Sequence, residues 1–196
     1  MDEDTARIEY LLESRDELVE QLASNNRRAR QEASHQLADL ARENAGVAAE
    51  VADELVAALD LPEAQTRWEC LDALSVVALE YPEVVLGGFD GAENALFDEG
   101  SAAVRLSAFR FLSRYGMYAP DRSREAWSLM SEAVQCYHGD PEYREMLICL
   151  LDFANGDIDD SVRESLVARM GFDAKNGRGQ IRRYSQAICA AAQEGE

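Results

Sequence analysis

Apolar positions along this chain recur with a helical period, and the pattern itself returns about every thirty-eight residues. Its marker is an arginine opening a helical stretch, at Arg30, Arg67, Arg105, Arg144 and Arg182, spaced 37, 38, 39 and 38 residues apart. Three residues beyond each come Ala33, Cys70, Ala108, Leu147 and Ser185. Seven beyond come Leu37, Leu74, Leu112, Leu151 and Cys189, and ten beyond come Leu40, Val77, Tyr115, Ala154 and Ala192. Offsets of three, seven and ten lie on one stripe of a 3.6-residue helix, so each repeat carries a helix that buries the same face. The helix before each arginine is less regular. Leu18 and Leu22 match Leu55 and Leu59, and Phe97 keeps one column ahead of Arg105, but Glu93 breaks the other. No stretch sustains a period of two, so no sheet is predicted.

Local punctuation agrees with helical hairpins. Ser14 to Glu17 and Ser161 to Glu164 read as capping boxes. Asp140-Pro141 reads as an N-cap before a first-turn proline. Leu61-Pro62-Glu63 and Tyr81-Pro82-Glu83 open new segments, and Gly116, Gly139 and Gly171 read as helix C-caps. These signals predict an N-terminal helix at 3–13, then helices near 14–24 and 27–44, 47–60 and 64–80, 91–98 and 101–115, 121–137 and 141–155, and 159–170 and 179–192. Gly171 to Gly179 is read as a loop. Residues 1–196 then form one domain with repeats at about 14–44, 47–80, 83–115, 121–155 and 159–192.

The paired helices, the period and the arginine opening each second helix resemble the HEAT-repeat family of armadillo-like α-solenoids, over roughly residues 14–192. The resemblance implies an all-α superhelix of about five helical hairpins after an N-terminal helix, with second helices side by side on a concave surface. It also implies an acidic residue in the turn before each arginine. Asp60, Asp98 and Asp140 stand before Arg67, Arg105 and Arg144, while the first repeat offers Asn25 and Asn26. One pair cannot bury its stripe alone; stacked neighbours make a continuous core. Such an architecture is expected to serve as a protein-interaction scaffold. Some HEAT-like proteins are instead bilin lyases and chaperones, and others are DNA-repair glycosylases that rely on a basic surface.

Composition narrows these options. Hydrophobic residues make up 47% and charged residues 29%, as expected of a folded chain. Acidic residues outnumber basic ones 38 to 19, for a net charge of −19. That balance repels phosphate backbones and anionic lipid, so neither nucleic acid nor a membrane surface is an expected partner. It favours basic proteins, although a plain solvated surface or a salty habitat would produce the same bias. The start, MDEDTARIEYLLES, is acidic and lacks the basic start and apolar run of a signal peptide, and no apolar stretch is long enough to span a bilayer. Cys70, Cys136, Cys149 and Cys189 are far apart and form no CxxC pair. They are expected to be reduced and mostly buried in a cytoplasmic protein.

Chemical sites are sparse. His35 and His138 are the only histidines, and no Ser-His-acid or Cys-His set can be built from them. Asp152 to Asp160 is rich in carboxylates, but a calcium-loop register would place Leu151 and Val162 at ligand positions. Gly87 to Gly91 lacks the lysine and Ser/Thr of a phosphate loop, and Lys175 with Gly177-Arg178-Gly179 reads as a basic spot in a loop. No catalytic residue, metal or cofactor is therefore expected. The arc opposite the core stripe falls near offsets one, five and nine. It supplies a candidate partner-binding face of Trp68, Asp72, Leu106, Arg110, Arg114 and Phe153, and aromatic and arginine residues are types enriched in binding hot spots. Packing of Trp68 and Phe153 against neighbouring repeats is the competing reading. The expected function is a non-catalytic scaffold or adaptor for another protein. The alternatives are an acidic regulator that mimics nucleic acid, and a HEAT-like bilin lyase or chaperone.

Overall fold

The structure, a computed structural model, describes the backbone of residues 3–194 and the side chains of residue 10 and residues 12–194. Met1, Asp2, Gly195 and Glu196, the ends of the expected 1–196 domain, lie outside the described residues. Among the described residues all regular structure is helical: α1 (Glu3–Leu22), α2 (Arg27–Glu43), α3 (Ala45–Ala49), α4 (Ala52–Ala57), α5 (Ala64–Glu80), α6 (Phe89–Leu96), α7 (Ala102–Gly116), α8 (Pro120–Cys136), α9 (Tyr143–Ala154), α10 (Asp160–Asn176) and α11 (Gly179–Glu194), with short 3-10 turns at Ala58–Asp60 and Leu86–Gly88. The chain forms two compact units, Met1–Phe111 and Leu112–Glu196.

In the first unit α2 lies along α5, α1 packs on α2, and the short α3 and α4 close against α5. The stripe read from the sequence is the core here: Ala33, Leu37, Cys70, Leu74, Val77 and Ala108 are fully buried. Ser14 opens no helix, because α1 runs through it from Glu3 to Leu22. Leu11, Leu12, Glu13 and Glu17 are good helix formers, and no Gly or Pro turns the chain before Ser14. The cap that operates is Asn26, whose side chain accepts from the N–H of Arg28 at 2.9 Å. The helix expected at 47–60 is interrupted at Val51, a β-branched residue of low helix propensity.

In the second unit α9 packs on α11, and α10 packs on α11 and α8. Asp140-Pro141 precedes α9 in a turn rather than capping it, and Gly139 takes a left-handed φ of +94° there. Asp159, two residues before Ser161, caps α10 by accepting from the Ser161 N–H at 3.0 Å. The expected loop Gly171 to Gly179 is helical to Asn176, so Gly171 caps nothing. Tertiary anchoring outweighs the glycine penalty: Met170 and Asp173, on either side of it, are buried, and Asp173 accepts from Tyr143 Oη at 3.1 Å.

Helix α9 is also rotated relative to its expected register. It buries Tyr143, Met146, Leu147, Leu150, Phe153 and Ala154, while Leu151 is only half-buried. Offset eight explains the turn. Ala38, Ser75 and Ser113 are small and buried there, whereas Asp152 carries a charge that the core would leave unpaired, and it is exposed. Cys70 and Cys149 are buried as expected and Cys189 is half-buried, but Cys136 is exposed at the last turn of α8.

Candidate protein-binding face

The arginine column sets up the face by tying successive second helices together. Arg30 of α2 pairs with Glu63, the N-cap residue of α5, and also donates to the Ser24 carbonyl at 2.8 Å. Arg67 of α5 pairs with Asp98 at 2.8 Å, and Arg105 of α7 donates to the Asp98 carbonyl at 2.9 Å. Each acid thus serves the arginine of the preceding repeat, and in the second repeat the acid that does so is Glu63 rather than the expected Asp60. Asp60 and Asp140 are exposed and enter no ion pair among the described residues. The hydrogen bond from Arg30 holds Glu63 below the usual carboxylate range. Burial pushes Asp98 up, but the bond and charge of Arg67, with the Gly100 N–H, outweigh it and leave Asp98 low. Arg144 leaves the column: it is exposed, with its guanidinium 5.9 Å from the Tyr184 ring centre.

Beside this ladder, in the first unit, α2, α5 and α7 carry a second layer of charge. Arg110 pairs with Asp72, which also lies 3.9 Å from Arg42. Arg42 reaches Asp39 at 2.6 Å. His35 stands between Glu69, 3.1 Å from Nδ1, and Asp39, 3.8 Å from Nε2. Three helices are therefore cross-braced by one continuous set of partly exposed ion pairs. Each pair contributes only about 0.2–1 kcal/mol, but together they fix side chains that would otherwise be free. Arg42 and Glu69 stand at offsets twelve and two, outside the columns at offsets one, five and nine, and join the face only through pairs between helices.

Trp68, Asp72, Leu106 and Arg110 are all half-buried in this unit. Trp68 resembles a contact residue more than a core one, since its indole N–H has no hydrogen-bond partner among the described residues and is not buried. The other tryptophan shows the contrast. Trp127 is buried, donates to Ser165 Oγ at 2.9 Å, and stacks on Phe153 with ring centres 6.2 Å apart. Phe153 is fully buried and cannot belong to an exposed face, a consequence of the rotated α9. Arg114 is half-buried, already engaged, and belongs to the second unit.

The histidines serve as hydrogen-bonding groups. His138 Nε2 lies 3.0 Å from Asp173, which ties the turn after α8 to α10. In the carboxylate-rich stretch, Asp159 caps α10 and pairs with Arg124. Gly156 lets the chain approach Met117 closely, with the Asp157 N–H donating to the Met117 carbonyl at 2.8 Å.

Helical pairs joined by short turns, a shared buried stripe and arginine ties from one repeat to the next define an armadillo/HEAT-type repeat fold, and solved structures agree. The chain is similar to a designed armadillo repeat protein in complex with the peptide (KR)4, with 18% identity and a TM-score of 0.74 over 89% of this chain and 80% of that one. It is similar to computationally designed armadillo repeat proteins for modular peptide recognition, with 16% identity and a TM-score of 0.72 over 89% and 80%. It also resembles the armadillo-repeats-only protein of Plasmodium falciparum, with 13% identity and a TM-score of 0.59 over 84% and 80%. No family model matches the chain, and no curated protein matches it in sequence. None of its described helices is long and apolar enough to cross a membrane.

Proposed function

We propose that this chain is a non-catalytic, cytoplasmic scaffold whose helical pairs form one repeat array and which binds another protein through the α2–α5–α7 face. The observation that carries the reading is Trp68, half-exposed with an unbonded indole N–H, on a surface already fixed by ion pairs. A pre-organised face loses less side-chain freedom on binding. Trp68 and Leu106 supply apolar contact, and Asp72 and Arg110 supply charge that orients a partner. Two structural neighbours are described as bound to the peptide (KR)4 and as designed for modular peptide recognition, which supports an extended peptide segment as the bound element. The net charge of −19 favours a segment that is basic.

Affinity capture from native lysate at low and high salt tests this reading, with Trp68→Ala/Arg110→Ala as control. A stoichiometric protein that survives high salt and is lost by the folded double variant supports it. Capture only of salt-labile DNA-binding proteins would instead favour nucleic-acid mimicry, because exposed charge attraction is screened by salt.

A further inference from the structure

Charge is unevenly distributed along the chain. Residues 1–100 contain 24 acidic and 7 basic residues, whereas residues 165–193 contain 5 basic residues and one acid, Asp173. That acid is occupied by His138 and Tyr143. Lys175, Arg178, Arg182 and Arg183 are exposed, and among the described residues none is paired with a carboxylate. Beside them Phe172 is 72% exposed, more than any other large apolar residue described. It borders an open hollow shared with Val167, Ala168, Gly171, Lys175 and Cys189, and nothing in the second unit covers its ring.

The first unit contains the complement. Val19, Leu22, Ala57, Ala58 and Leu61 form an apolar hollow of about 200 Å³ with Glu54 at its edge. A dry apolar cavity of roughly 150 Å³ accepts benzene, so a phenyl ring fits this one. An adjoining hollow shares Val19 and Glu54 and adds Asp16, Glu20 and Glu50. Arg15 pairs with Asp16 and Glu50, but Glu20 and Glu54 are exposed without a basic partner among the described residues.

We propose that the protein self-associates head to tail. Phe172 of one molecule seats in the Val19–Leu22–Ala57–Leu61 hollow of a second copy, and Lys175 and Arg178 meet the unpaired Glu20 and Glu54. A second copy is the occupant because one chain presents both halves: a protruding ring beside unpaired cations, and a ring-sized apolar hollow beside unpaired carboxylates. The two surfaces differ, so the contact is heterologous and leaves one free surface of each kind, which propagates the assembly. Long-range repulsion between acidic chains is screened beyond about 8 Å at physiological salt, leaving the short-range complementarity to act.

Sedimentation velocity over a concentration series at physiological ionic strength tests the proposal. Wild type is expected to show a mass that rises with concentration without a plateau at dimer. Phe172→Asp removes the protruding ring and Ala57→Trp fills the hollow; both positions are exposed, so helical circular dichroism should be unchanged. Each variant alone should remain monomeric. An equimolar mixture should stop at a dimer, because only one productive contact remains between the two. A monomeric wild type at high concentration would overturn the proposal, as would a folded Phe172→Asp variant that associates like wild type. A mixture that stays monomeric would also overturn it.

Discussion

Helices α5 and α9 occupy equivalent places in their repeats, yet they turn different arcs inward. In α5, offsets five and nine are Asp72 and Val76, both half-buried; in α9 they are Cys149 and Phe153, both buried. The arginine marks where each second helix begins, not how far it is rotated. Rotation follows from burial costs along the helix. Ser75 at offset eight goes inside, while Asp152 at the same offset stays in water and draws Leu151 partly out with it. One arc is thereby left for charge in the first unit and filled with core in the second.

The largest expected break in this contrast comes from truncating the buried aromatic. Phe153→Ala should cost about 3–5 kcal/mol in denaturant unfolding, whereas Trp68→Ala should cost less than about 1 kcal/mol. Equal costs would mean that the two aromatics share one environment. Next comes Gly156→Ala, since a Cβ there would collide with the Met117 carbonyl oxygen. It should lower stability by about 1–3 kcal/mol on the same assay, and a neutral result would show that the turn yields easily.

The ladder of the first unit should show itself as a pH dependence. Glu63 and Asp98 are held low in the folded state, so the unfolded chain takes up their protons first as pH falls. Their contribution is present above the ordinary carboxylate range near about pH 4 and is lost below it. Urea midpoints from neutral pH into that range should fall for wild type and fall less steeply for Glu63→Gln and Asp98→Asn. Identical slopes would remove the ladder as a source of acid sensitivity. The smallest effect belongs to the partly exposed Asp72–Arg110 pair. A double-mutant cycle should give a coupling of about 0.2–1 kcal/mol.

Much of this architecture is legible in the sequence, because period and offset reflect which side chains can be buried. The stripe at offsets three, seven and ten identifies the core of α2, α5 and α7 residue by residue. The capping signals mislead where continuous helix formers or tertiary contacts prevail, as at Ser14 and Gly171, or where a nearby residue takes the cap, as Asp159 does ahead of Ser161. Four of the six residues of the proposed face were also placed by the sequence pattern. Trp68, Asp72, Leu106 and Arg110 follow from a register that holds in the first unit, and Phe153 fails where Asp152 breaks it. The remainder, Arg42 and Glu69, depends on pairs between helices, which spacing within one helix does not encode.

Fluorescence of Trp68 in a Trp127→Phe background, titrated with the protein captured from lysate, tests the central claim most directly. Binding through the α2–α5–α7 face predicts a saturable blue shift as the exposed indole is covered, abolished together with affinity by Arg110→Ala. A partner that binds by calorimetry while the Trp68 emission stays unchanged would place the interaction elsewhere and contradict the account.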